Sequence, residues 1–197
     1  RMSRGLGDVY KRQVQVSYMP QNPDMDAEAT VLEQVFLGLP QEYRAVAEYE
    51  ARAMLNRLGV TEHDKKIGVL SGGQRKRVAL ATALIHPADI LILDEPTNHL
   101  DMDMAAWLED YLRRFTGGII LITHDRYFLD RVVNRIVELE NGVLYSYEAN
   151  YARYLELKAE RIEMEAASER KRQSILRREY QWIMRGARAR GTKSRDR

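Results

Sequence analysis

Two short apolar runs, each emptying into polar residues, constrain this chain more than anything else in it. Ile90-Leu91-Ile92-Leu93 leads into Asp94-Glu95, and Ile119-Ile120-Leu121-Ile122 leads into Thr123-His124-Asp125. The first of these, four apolar residues without alternation, reads as a strand covered on both faces of a parallel sheet. Between the two runs, Met104 to Phe115 has helical spacing and Gly117-Gly118 supplies a turn. The fold class is therefore α/β. Ligands of open α/β sheets bind where such strands end, so Asp94, Glu95 and His124 become candidates at once.

The remaining pattern extends this core in both directions. Val14 to Met19 alternates apolar and polar residues as a strand does, and Pro20-Gln21-Asn22-Pro23 forces a turn. Thr30 to Leu37 and Tyr43 to Leu58 read as helices, the second closing at Gly59. Gln74 to His86 is helical and ends at Pro87, with Val78, Leu80, Ala81, Leu84 and Ile85 as its apolar positions. Arg126 to Val133 is a further helix. Ile136 to Leu139 and Val143 to Tyr147 flank Asn141-Gly142, a two-residue hairpin turn. Tyr151 to Met184 then runs 34 residues without proline or glycine, as one long helix. Arg1 to Gln13 has neither periodicity and reads as a leader foreign to the fold, a cloning or assembly remnant. The expected domains are thus residues 14–148, with a helical part at about 24–88, and a basic helical segment at 149–197.

Composition narrows the setting. The chain has no cysteine, which excludes disulfides and thiolate metal sites and suits a reducing cytoplasm. No apolar run approaches the roughly 20 residues of a membrane span. Charge is unevenly spread: Asn150 to Arg197 carries 14 Lys or Arg against 7 Asp or Glu, while the rest of the chain is net acidic. A basic tail on such a body points to a polyanionic partner. A solvated charged helix with nothing bound is the plain alternative.

The candidate chemistry is nucleotide hydrolysis. Asp94 is placed to hold Mg²⁺, largely through water, because Mg²⁺ takes few carboxylates. Glu95 beside it can orient and deprotonate an attacking water. His124 can contact a terminal phosphate, and Gln21, after the Tyr18 strand, can ligate Mg²⁺ and couple the site to the helices that follow. Ser71, Gly72 and Gly73 come just before a helix, where amides, a hydroxyl and the positive end of the dipole can meet an anion. Gln74 adjoins them. His63, His86 and His99 have no comparable context.

Taken together, these strings resemble the ATP-binding cassette superfamily. Leu70-Ser71-Gly72-Gly73-Gln74 matches its signature motif, Ile90 to Glu95 its Walker B strand, Asn98 to Asp101 its D-loop, His124 its switch histidine and Gln21 its Q-loop. More narrowly, Asp94 to Asp101 (DEPTNHLD), Thr123 to Leu129 and Tyr145 to Tyr154 are similar to the ABC-F family. Glu179 to Lys193 resembles that family's interdomain linker. The resemblance implies an ABC-type ATPase fold with a helical subdomain and a long linker helix. It also implies ATP and Mg²⁺ as cofactors, Asp101 among the nucleotide contacts, and no membrane domain. The implied partners are a second cassette and the ribosome near its exit site, with rRNA and tRNA reached by Arg185, Arg188, Arg190, Lys193 and Arg195. Tyr180 and Trp182 are read either as stacking residues or as helix-packing residues of the linker.

Two expected parts do not occur in the sequence. The family's G-x-x-x-x-G-K-[ST] phosphate loop is found nowhere in the chain, and a second cassette is not present either. The span from Gln21 to Ser71 is also short for a first cassette, so the inserted helical arm is expected to be reduced or missing. Ser71 to Gly73 would then serve one nucleotide, and Asp94, Glu95, Gln21 and His124 another. Such a chain is expected to be inactive alone. A membrane transporter's cassette shares the core motifs, and Asn98-His99 with the basic tail argues against it. A non-catalytic RNA-binding coiled coil is opposed by the intact Asp94-Glu95 pair.

Overall fold

The computed structural model describes residues 13–184. They fall into two compact units that divide between Val132 and Val133. The leader up to residue 12 and the five basic candidates Arg185, Arg188, Arg190, Lys193 and Arg195 lie outside the described residues.

The first unit is built on three parallel strands in the order β1 (Val16–Met19), β2 (Ile90–Asp94) and β3 (Gly118–Ile122). Val16 to Met19 pair with Ile90 to Leu93, and Ile90 to Asp94 pair with Gly118 to Ile122. Parallel strands need long crossovers. Here β1 reaches β2 through helices α1 (Val31–Val35), α2 (Gln41–Arg57), a 3-10 turn at Ile67–Val69 and α3 (Gly72–Ile85). The crossover from β2 to β3 is α4 (Met102–Arg114), and α5 (Arg126–Val132) follows β3.

Helix α3 is the hub of this unit. Val78 to Ala81 and Ala83 to Ile85 are all buried, because the helix is enclosed by neighbours on several sides. Its alanines let those neighbours approach closely. Its last carbonyls, which lack partners inside the helix, are satisfied from two sides. Tyr43 Oη donates to Ile85 O at 2.8 Å and Tyr111 Oη to Leu84 O at 3.0 Å. Ser17 Oγ donates to Ala83 O at 2.8 Å, tying α3 to β1. His86 Nε2 meets the Val35 carbonyl at 2.9 Å, and buried His63 faces Asn56 Oδ1 and Val60 O at 3.1 Å. Both histidines thus have structural work. Gly117 is required by space: a Cβ there would stand 2.4 Å from the Asp89 carbonyl oxygen.

One sequence expectation fails here. Ile90 to Leu93 was expected to be covered on both faces, yet among the described residues the sheet is covered on one. Leu91 and Leu93 are buried beneath the helices, while Ile90 and Ile92 are only half-buried. On the same open face Val16 and Tyr18 are 55% and 56% exposed, and Ile120 and Ile122 are each 52% exposed. An unbroken apolar run records what a strand can be packed against. It does not say which layers the described residues supply.

The second unit is a hairpin and a helix. Strands β4 (Ile136–Glu140) and β5 (Val143–Tyr147) pair antiparallel around Asn141 and Gly142, whose φ values of +50° and +79° suit the tight turn. Asn150 Oδ1 accepts the Arg153 N–H at the start of α6 (Tyr151–Met184). Tyr147, Ala149 and Tyr154 form a small core, with Tyr147 and Tyr154 edge to face at 5.1 Å. Glu138 is the polar centre of the packing. Its carboxylate accepts from Tyr154 Oη at 3.0 Å, from Arg161 Nη2 at 3.2 Å and from Lys158 Nζ. Burial opposes ionisation of Glu138, but the hydrogen bonds from Lys158 and Tyr154 and the charges of Lys158 and Arg161 outweigh it. The carboxyl is therefore held below the ordinary carboxylate range. Arg161 also stacks on the Tyr145 ring at 3.7 Å from its centre and donates to Glu140 Oε2 at 2.7 Å. From Ile162 to Met184 every residue of α6 is exposed, Tyr180 and Trp182 included. Among the described residues no helix is long and apolar enough to cross a membrane.

Candidate functional site

The three parallel strands bring their C-terminal ends to one edge, and the sequence candidates lie along it. Pairing Leu93 with Met19 puts Gln21, exposed just past β1, beside the end of β2. Pairing Asp94 with Ile122 brings Thr123 and His124 to its other side. Asp94 is the half-buried last residue of β2. Glu95 follows it in the left-handed region at φ +51°, where residues other than glycine are uncommon. Its N–H donates to Ile122 O at 2.7 Å, which turns the chain out of the strand.

The Glu95 side chain is buried, with 7% of the residue exposed, yet its polar contacts are long. Thr123 Oγ1 donates to Glu95 Oε2 at 3.4 Å, and His124 Nε2 lies 3.6 Å from Glu95 Oε1. His124 is otherwise fully exposed. A nearly buried carboxylate with loose partners, beside an exposed imidazole, can take a water as a partner and polarise it. Thr123 also accepts the Asp125 N–H at 3.1 Å and lies 3.5 Å from Thr97 Oγ1. Sequence reasoning passed over both threonines. Their only signal was adjacency to the acidic pair and to His124.

Among the described residues no three His, Cys, Asp or Glu side chains gather as a metal cluster. The donor set still suits Mg²⁺. That ion keeps several waters and binds proteins through one or two carboxylates plus substrate phosphates. Asp94 would supply the carboxylate and Gln21 a neutral oxygen.

The signature residues are arranged somewhat differently from the sequence expectation. Ser71 is the N-cap of α3, and Gly72 and Gly73 lie inside its first turn rather than ahead of it. Gln74 N–H donates to Ser71 Oγ at 3.2 Å and Ser71 N–H to Gln74 Oε1 at 3.0 Å, closing a capping box. The Ser71 oxygen is thereby occupied as an acceptor, while its proton can still be donated outward. The glycines are not explained by the fold. A Cβ on Gly72 would meet nothing within 4 Å, and one on Gly73 would make ordinary contact with His99. Neither glycine has a positive φ. Two glycine amides in the first turn of a helix leave room for an anion to reach the backbone. Asp101 is exposed and caps α4, accepting the Met104 N–H at 2.8 Å through Oδ1. The structure thus gives Gln74 and Asp101 capping roles alongside the nucleotide contacts expected of them.

Comparison with known proteins places this geometry. Residues 4–98 match a family model described as ABC transporter, and residues 137–197 match a second model of the same description. The chain is 43% identical to the uncharacterized ABC transporter ATP-binding protein YfmR of Bacillus subtilis (strain 168), over 93% of this chain and 35% of YfmR. It is 45% identical to the ATP-binding protein ChvD of Rhizobium radiobacter, over 76% of this chain and 52% of ChvD. It is 39% identical to the energy-dependent translational throttle protein EttA of Escherichia coli (strain K12), over 95% of this chain and 34% of EttA. The chain therefore spans from about a third to about half of the length of these relatives. Among solved structures it is similar to the dimeric post-hydrolysis state of the ATP-binding cassette MJ0796 bound to ADP and Pi. There the TM-score is 0.59 at 25% identity, over 68% of this chain and 63% of that one. An archaeal ribosome recycling factor, aABCE1, solved in complex with the ribosomal stalk protein aP1, matches with a TM-score of 0.54 at 29% identity, over 68% of this chain and 27% of that one.

Proposed function

Because the chain belongs to the ATP-binding cassette superfamily, in its ABC-F branch, we propose that it forms part of a cytoplasmic ATPase acting on the ribosome. One observation carries the hydrolytic part of this reading. Glu95 is buried in a left-handed conformation at the strand ends, within reach of His124 and next to Asp94. Strain of this kind persists where the surrounding structure fixes it, and it gathers at functional sites.

Each residue then has a task. Asp94 and Gln21 would hold Mg²⁺, which when bound would supply positive charge to the phosphates. Glu95 orients the attacking water and takes its proton. His124, held near Glu95 and open to solvent, meets the terminal phosphate. Ser71, Gly72 and Gly73 offer amides and a hydroxyl to the phosphates of a second nucleotide, one held by a partner cassette. This single chain supplies half of each of two sites. The ribosomal part rests on the named role of EttA, on the complex of aABCE1 with a ribosomal stalk protein and on the basic helix. Arg170, Lys171, Arg172, Arg177 and Arg178 are exposed along the free part of α6. They would track phosphates of rRNA or tRNA with a salt-dependent affinity, continued by Arg185, Arg188, Arg190, Lys193 and Arg195.

With half of each site, the chain by itself should not turn ATP over. Incubated with Mg²⁺ and ATP, the purified chain is expected to release phosphate no faster than buffer. Release above that background which Glu95→Ala abolishes would overturn the division into half-sites.

A further inference from the structure

Helix α6 is held to the hairpin over its first turns only, and the hold converges on one carboxylate. Glu138 Oε1 accepts from Tyr154 Oη at 3.0 Å and from Lys158 Nζ. Glu138 Oε2 accepts from Arg161 Nη2 at 3.2 Å and, more loosely, from Tyr147 Oη at 3.5 Å. Four donors use up the lone pairs that a carboxylate offers. Tyr154, Lys158 and Arg161 stand at i, i+4 and i+7, so they form one stripe along the helix. The outer two are about 10 Å apart along its axis. A single contact would be a pivot, whereas contacts spread over this length define a direction. The apolar packing beneath is small, with Tyr147, Ala149 and Tyr154 as its buried residues. The side chains of Glu138 and Arg161 are only 14% and 13% exposed, so salt screens their attraction little. Arg161 is fixed in turn by the Tyr145 ring, 3.7 Å from its centre, by Glu140 Oε2 at 2.7 Å and by Glu165 Oε1 at 3.1 Å.

We infer that Glu138 is a positioning residue: by gathering Tyr154, Lys158 and Arg161, it fixes the direction in which the exposed part of α6 leaves the hairpin. From Ile162 to Met184 the helix is exposed throughout, so its course is set at the root. The stretch from Ala166 to Met184 is about 28 Å long, and a tilt of about 20° at the root displaces its end by about 10 Å. Arg170, Lys171, Arg172, Arg177 and Arg178 lie on this stretch. The inference rests on the proposed ribosomal reading only in giving those residues a polyanion to meet. An ion pair reaches about 4 Å, so a loosened root would carry the basic residues out of register with fixed phosphates.

The test reads the direction of the helix itself. The chain has no cysteine, so Ser146→Cys on the hairpin and Ser174→Cys on α6, both exposed positions, take one nitroxide each. Pulsed electron double resonance on the full chain then gives the distribution of distances between them, on the order of 30 Å. The labelled pair is carried into Glu138→Gln, Glu140→Gln and Arg161→Lys. Glutamine at position 138 keeps the shape but turns an NH₂ donor toward the donors on one side. At position 140 its oxygen can still serve Arg161. Lysine at position 161 keeps the charge and loses both the fork and the flat stack. The expected distribution is at least twice as wide in Glu138→Gln, intermediate in Arg161→Lys and unchanged in Glu140→Gln, at low and at high salt. A merely structural role would lower the unfolding temperature and leave the width alone. The parent's width in a helical Glu138→Gln, or equal broadening in Glu140→Gln, would overturn the inference. Where circular dichroism shows α6 unfolded in Glu138→Gln, Arg161→Lys decides: broadening supports the inference and the parent's width overturns it. Neither ribosome nor nucleotide is present, so failure of the ribosomal reading would leave this result standing.

Discussion

Glu95→Gln, made in a two-cassette protein that contains this segment and a phosphate loop, is expected to slow ATP turnover at this site by at least about a hundredfold, the scale of a lost general base. ATP binding should be little changed. Glutamine has nearly the same shape, so it can keep the place beside Thr123 Oγ1 and His124 that the structure gives the carboxylate. It cannot take a proton from water. The left-handed backbone at Glu95 and its hydrogen bond to Ile122 O do not depend on the charge, so the loop should survive the substitution. Single-turnover hydrolysis with a separate measurement of nucleotide affinity separates the two effects. A fall in turnover of less than about threefold would remove Glu95 from the catalytic role, because the base contribution is far larger than that.

The largest expected effect on stability lies at the same strand. Leu93→Ala should cost about 3–4 kcal/mol, within the range for truncating a buried leucine to alanine. Leu93 is fully buried on the covered face of the central strand, paired with Met19 on one side and Leu121 on the other. Ile120→Ala, on the open face, should cost less than about 1 kcal/mol, because half of that residue is already in contact with water. Urea unfolding of the chain and of both variants provides the comparison. Similar losses at the two positions would mean that the open face is covered in solution.

The same strand shows what could be read from sequence and what could not. Ile90 to Leu93 was legible as a strand because a short apolar run ending in Asp-Glu has few other uses. Its one-sided burial was not legible, since the layers facing a strand are set by distant parts of the chain. The long helix α6 runs unbroken from Tyr151 to Met184, the last described residue, and neither proline nor glycine interrupts that stretch. Asn141-Gly142 likewise announced its own turn. The acidic pair, Gln21 and His124 were singled out because each follows a strand, and strand register explains why they share an edge. The capping box at Ser71 and Gln74 was missed. Residues chosen as phosphate contacts can also cap a helix, and spacing alone does not separate the two uses. His99 was set aside as a histidine without context. Its context is Gly73, distant in sequence and close only once α3 and the β2 exit are folded.

Co-sedimentation with ribosomes tests the central claim most directly. The Glu95→Gln form of a two-cassette protein containing this segment would be pelleted through a sucrose cushion with ribosomes, with ATP or with ADP, at several salt concentrations. ATP-dependent pelleting that weakens steeply as salt rises is expected, because a nucleotide-closed cassette pair would present the basic helix to RNA phosphates. Pelleting that is absent, or equal with ATP and ADP, would contradict an ATPase that acts on the ribosome.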